Sequence, residues 1–131
     1  MAKITLKDLS HSYLEKQHSN ADWALRDVNI DWKDGGAYAL LGPSGCGKTT
    51  LLNIVSGLLK PTKGSVLFDD KDITAFSPVE RDIAQIFQFP VIYDTMTVYD
   101  NLAFPLKNRG LSEIEIDSKV QEIAEMLELS S

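Results

Sequence analysis

The stretch Gly42-Pro43-Ser44-Gly45-Cys46-Gly47-Lys48-Thr49 satisfies every fixed position of the phosphate-binding pattern G-x-x-x-x-G-K-S/T. Such a loop needs a strand before it and a helix after it. Both are legible here: Ala37-Tyr38-Ala39-Leu40-Leu41 reads as a short buried strand, and Thr50-Leu51-Leu52-Asn53-Ile54-Val55 reads as a helix opening at the last glycine. The residue types follow from the chemistry. Glycines at 42, 45 and 47 let the backbone approach a polyphosphate with no Cβ in between. The amides from Ser44 to Thr49 then converge on the phosphates at the positive end of the helix dipole. Lys48 reaches the β and γ phosphates, Thr49 offers its hydroxyl to Mg²⁺, and Thr50 adds a hydrogen bond to the α phosphate. A glycine-rich turn that binds nothing is the competing reading, and it leaves the flanking strand and helix unexplained.

The 131 residues suffice for a modest core, and their net charge of −6 argues against a nucleic-acid surface, which would be basic. It does not argue against a nucleotide, because loop amides, Lys48 and Mg²⁺ supply positive charge locally. A single cysteine excludes an internal disulfide. No run is long enough to span a bilayer and no amino-terminal apolar segment suggests export, so the expected compartment is the cytoplasm.

Outward from the loop, Lys3-Ile4-Thr5-Leu6-Lys7 alternates as a half-buried strand, and Asp22 to Trp32 carries a second strand before the turn Lys33-Asp34-Gly35-Gly36. Glu15 to Asn20 reads as an exposed polar loop. Beyond the loop helix, which Gly57 stops, Ser65-Val66-Leu67-Phe68 is a short strand and Asp69-Asp70-Lys71 a turn. Ile83-Ala84-Gln85-Ile86-Phe87 reads as a further buried strand that delivers Gln88 to its carboxyl end. From Thr97 the pattern turns helical. Thr97-Val98-Tyr99-Asp100 and Ser112-Glu113-Ile114-Glu115 each place an acid three residues after a hydroxyl, which marks a helix start. Ile116, Val120, Ile123, Ala124 and Leu127 form one apolar stripe, expected to be core.

Tyr13, the phosphate loop, the Gly64 to Ile73 region and Gln88 together resemble the ATP-binding subunits of ABC transporters. Glu80-Arg81-Asp82-Ile83-Ala84-Gln85-Ile86-Phe87-Gln88, with Tyr93-Asp94-Thr95-Met96-Thr97-Val98-Tyr99-Asp100-Asn101-Leu102-Ala103-Phe104, looks most like the branch importing sugars, glycerol and glycerol phosphates. The resemblance implies an α/β P-loop fold with an antiparallel β portion, a nucleotide-binding core over 1–96 and the beginning of a helical subdomain over 97–131. It implies ATP and Mg²⁺ as ligands, with Lys48 and Gln88 acting at the reacting phosphate. Thr49 and Gln88 would hold the metal, Gly42, Pro43, Ser44, Gly45, Cys46, Gly47, Lys48, Thr49 and Thr50 the nucleotide, and Tyr13 would stack on adenine. Trp23 competes for the stacking role. Implied partners are membrane-spanning permease subunits and a second ATP-binding subunit, at the inner face of the cell membrane. Phe89 to Met96 resembles the permease-docking region; loop packing is the other reading.

The family's Leu-Ser-Gly-Gly-Gln type signature, second acidic motif, catalytic glutamate and switch histidine are absent from these residues. Val66-Leu67-Phe68-Asp69-Asp70 lies where the family has an antiparallel hairpin, so it reads as a turn and not as the acidic motif. His11 and His18 are assigned no role. The expectation is therefore an amino-terminal half, catalytically incompetent alone and prone to self-association. A nucleotide-binding piece without turnover and a non-transport P-loop ATPase are the alternatives.

Overall fold

A computed structural model describes residues 2–16, 19–89 and 91–129. Gln17 and His18 of the expected polar loop, Pro90 of the stretch after Gln88, and Ser130 and Ser131 lie outside them. The chain divides into two compact units, Met1–Gln85 and Ile86–Ser131.

In the first unit, β1 (Ile4–His11) is the centre of a four-stranded antiparallel sheet in which β2 (Leu25–Trp32) lies on one side and β3 (Lys63–Phe68) and β4 (Lys71–Asp72) follow on the other. β1 runs four residues beyond the alternating stretch that announces it. The register shifts between Leu6 and Leu9, where Asp8 takes a φ of 48° and its amide donates to Asn29 Oδ1 at 2.9 Å. In a regular strand Leu6 and Leu9, three apart, face opposite sides; the bulge turns both into the core. Gly64 makes room for this, since a Cβ there would lie 2.6 Å from Leu9 Cα. Asp69 and Asp70, both with positive φ, form the two-residue turn between the paired Phe68 and Lys71, as the hairpin reading of 66–70 requires.

The helix α1 (Lys48–Ser56) lays Leu51, Ile54 and Val55 against Leu6, Leu9, Leu25, Val66 and Ile73 from the sheet side, forming one buried cluster. Leu52, by contrast, is exposed. The two strands expected at 37–41 and 83–87 do not form. Neither segment joins a ladder among the described residues, and Leu41 is 92% and Ile86 97% exposed. Apolar composition marks a segment fit for a sheet interior, but a strand exists only where a neighbour accepts its amides.

The second unit pairs α2 (Val98–Asn108) with α3 (Glu113–Met126). Both helices start where expected. Thr97 Oγ1 accepts the Asp100 amide at 3.1 Å, and Ser112 and Glu115 form a reciprocal capping box, with Ser112 N donating to Glu115 Oε2 at 3.0 Å. Ala103, Ile116 and Val120 are the buried centre, flanked by Leu102, Leu106 and Leu111. The stripe does not stay buried along its length: Ile123 is 39% and Leu127 56% exposed. α2 is eleven residues against fourteen in α3, so the carboxyl-terminal turns of α3 extend past the cover α2 offers. Among the described residues no helix is long and apolar enough to cross a membrane.

Candidate functional site

The loop from Gly42 to Gly47 closes on α1 through two left-handed glycines, Gly45 at φ 79° and Gly47 at φ 95°, the latter standing at the helix N-cap. Gly47 is confined as well as twisted, for a Cβ would lie 2.5 Å from the Ala24 carbonyl oxygen and 2.9 Å from Leu25 Cδ2. The start of β2 therefore buttresses the loop. With no side-chain cap on the helix, its first amides remain available to an acceptor from outside.

Lys48 folds back over its own loop. Its ammonium donates to the carbonyls of Gly42 and, at 2.8 Å, Pro43, and lies 3.5 Å from Cys46 Sγ. The Cys46 amide donates to the Pro43 carbonyl at 3.3 Å, and its side chain is exposed. A cation positioned over the loop by carbonyls, next to a helix amino terminus, is an arrangement that favours an anion.

Tyr13, Ala24, Ser44, Gly45, Gly47, Lys48, Thr49 and Thr50 line one cavity of about 570 Å³. Consecutive threonines take different roles in it. Thr49 is exposed, whereas Thr50 is buried with its Oγ1 3.0 Å from the Tyr13 hydroxyl. Tyr13 keeps 66% of its surface exposed. Trp23, the competing aromatic, instead carries Lys63 Nζ 5.4 Å from its ring centroid. Gln88 is exposed and belongs to the second unit. No cluster of three or more His, Cys, Asp or Glu side chains able to hold a metal occurs among the described residues.

Sequence reasoning passed over two residues that the structure brings forward. Arg81, 5% exposed, donates to the carbonyls of Ile54 (2.8 Å), Val55 (3.0 Å), Thr74 (3.1 Å) and Phe76 (3.0 Å). It thus caps the carboxyl end of α1 with positive charge, while burial pushes its own pKa down. Its only local signal is an arginine placed just before an apolar run. His11, two residues before Tyr13, is buried at the end of β1 with its ring perpendicular to that of Tyr13.

A family model described as ABC transporter matches residues 25–131. The chain is 46% identical over 113 residues to the trehalose/maltose import ATP-binding protein MalK of Thermococcus litoralis, covering 82% of this chain and 30% of that protein. It is 41% identical over 129 residues to the sn-glycerol-3-phosphate import ATP-binding protein UgpC of Burkholderia ambifaria, covering 98% of this chain and 34% of that one. It spans, then, about a third of the length of these curated relatives. Among solved structures, a nucleotide-free ATP-binding cassette from an ABC transporter superposes with a TM-score of 0.75 at 31% identity, over 99% of this chain and 55% of that one. A dimeric post-hydrolysis cassette bound to ADP and Pi gives 0.77 at 29% identity, over 95% and 57%. By sequence, by phosphate loop and by fold, this chain belongs to the ABC transporter family.

Proposed function

We propose that the chain is the nucleotide-binding portion of an ATP-driven importer of a small polar solute such as a sugar, glycerol or a glycerol phosphate. The observation that carries this reading is the cavity in which Tyr13, Lys48, Thr49 and Thr50 stand together around the amino end of α1. On this reading Lys48 exchanges its hold on the Gly42 and Pro43 carbonyls for the β and γ phosphates of ATP. The amides of Ser44 to Thr49 hold the remaining phosphate oxygens, and Tyr13 offers its open face to adenine. The exposed Thr49 hydroxyl is the side chain of the first unit that would hold Mg²⁺, whose charge, when bound, offsets that of the phosphates. The core extends over 1–96, and 97–131 begins the helical subdomain. Membrane-spanning permease subunits and a second ATP-binding subunit are the partners, met at the inner face of the membrane, and the exposed apolar residues among 89 and 91–96 serve permease docking.

These 131 residues hold no carboxylate in the family's water-orienting motif, so the chain alone binds nucleotide without turning it over. Equilibrium binding of ATP to the wild type and to Lys48→Ala tests the reading. The variant should bind at least about tenfold more weakly, since hydrogen bonds to charged groups contribute about 1.5–3 kcal/mol. Equal affinities would refute the site, and steady-state hydrolysis above the Lys48→Ala level would refute the absence of turnover. Co-purification with a soluble partner only, and never a membrane subunit, would favour a non-transport ATPase.

A further inference from the structure

Tyr13 is held at both ends of its side chain. Its backbone is fixed by its neighbours: Ser12 N donates to Thr62 Oγ1 at 3.0 Å, Ser12 Oγ donates to the Asp22 carbonyl at 2.6 Å, and Leu14 N donates to Ser12 Oγ at 3.1 Å. Its hydroxyl is fixed by Thr50 Oγ1 at 3.0 Å. A ring pinned at Cβ and at the hydroxyl can still turn about the axis joining them, because that torsion is soft and broad. The plane that the ring presents is therefore not set by either tether.

His11 supplies the missing constraint. Its ring lies 4.7 Å from that of Tyr13, centroid to centroid, at 86°. The imidazole is itself immobilised: it is 6% exposed, its Nδ1 lies 3.4 Å from Thr62 Oγ1, and its carbonyl accepts the Ala24 amide at 2.8 Å. Its Nε2 is buried and has no hydrogen-bond partner among the described residues. A buried polar atom left unpartnered costs stability, so hydrogen bonding alone does not explain this imidazole, whereas contact with the Tyr13 ring does.

We propose that His11 is a positioning residue for the nucleotide base: it sets the plane of the Tyr13 ring, and through that ring the part of the affinity owed to adenine. The inference rests on the nucleotide-binding reading above. It makes a separable claim, because His11 touches the base-stacking aromatic and not the phosphate loop.

The test measures affinity for ATP and for inorganic tripolyphosphate in the wild type, His11→Ala, His11→Phe, Tyr13→Ala and the double variant His11→Ala/Tyr13→Ala. Perpendicular aromatic pairs contribute enough that His11→Ala should bind ATP about three- to tenfold more weakly. Tripolyphosphate affinity should not move. His11→Phe, which keeps a ring at the same place, should restore ATP binding, and His11→Ala should have no further effect once Tyr13 is alanine. Should His11→Ala not fold, His11→Gln keeps a polar contact to Thr62 without a ring and must show the same selective loss. Unchanged ATP affinity, equal losses for both ligands, or a loss that persists without Tyr13 would each overturn the inference while leaving the nucleotide site standing. A wild type that binds neither ligand would overturn both.

Discussion

Replacing Arg81 by alanine should destabilise the first unit by about 3 kcal/mol. The guanidinium serves four carbonyls, and they are not equivalent. The bonds to Ile54 and Val55 are buried and those to Thr74 and Phe76 only partly so. Ile54 keeps the Gly57 amide at 3.2 Å, and the partly buried pair can turn to water. Stranding the Val55 carbonyl costs about 1–3 kcal/mol, and the other three losses add roughly 0.5–1 kcal/mol each. Against this stands the relief of a buried cation, which burial already disfavours. About 3 kcal/mol is a large share of a typical domain stability of roughly 5–15 kcal/mol. Urea unfolding followed by the fluorescence of Trp23 and Trp32, both in that unit, should show the midpoint falling by about 2 M at a slope of about 1–2 kcal/mol per molar. Arg81→Lys, with one ammonium in place of a planar fork, should recover about half of the loss. An alanine midpoint within about 0.3 M of the wild type would show that the carbonyls at the end of α1 are satisfied without Arg81, and the reasoning would fail.

Three further outcomes are expected. Cys46 is exposed on the loop 3.5 Å from Lys48 Nζ, so Mg-ATP should slow its alkylation and alkylation should block nucleotide binding; an unchanged rate at saturating nucleotide would show that the thiol points away from the site. The Ser112 hydroxyl and amide hold the Glu115 carboxyl below the usual glutamate range. A depressed folded pKa means that the stabilisation is complete above the ordinary value of 4.5 and is lost as pH falls through the folded one, so α3 helicity should drop in acid, and the drop should be shallower in Ser112→Ala. A circular dichroism titration with identical slopes for the two proteins would refute the capping box. Finally, the unpaired segments at 37–41 and 83–87 expose apolar side chains and backbone groups suited to strand addition, so the chain should sediment as a dimer or larger at micromolar concentration; a monomer with a cooperative melt would show these edges to be inert.

Features written in consecutive residues were legible without a structure. The phosphate loop, the helix that follows it, the hairpin turn at Asp69 and Asp70, and the starts of α2 and α3 at Thr97 and Ser112 each depend on groups within a few positions of one another. Their hydrogen bonds close locally, so residue type and spacing suffice. Features that needed a distant partner were not. Apolar runs at 37–41 and 83–87 have the composition of buried strands, yet no ladder among the described residues takes them up. The bulge that turns both Leu6 and Leu9 inward depends on Asn29 and on the absence of a Cβ at Gly64. Arg81 carries no pattern of its own, because its four acceptors come from two other stretches of chain. The resemblance favoured Tyr13 for the stacking role with Trp23 competing, and the fold sets Tyr13 beside Thr50 and Trp23 beneath Lys63. The division follows the range of the interactions: those within a turn are determined by neighbouring residues, while those across the core exist only once the chain has brought remote groups to hydrogen-bonding or van der Waals distance.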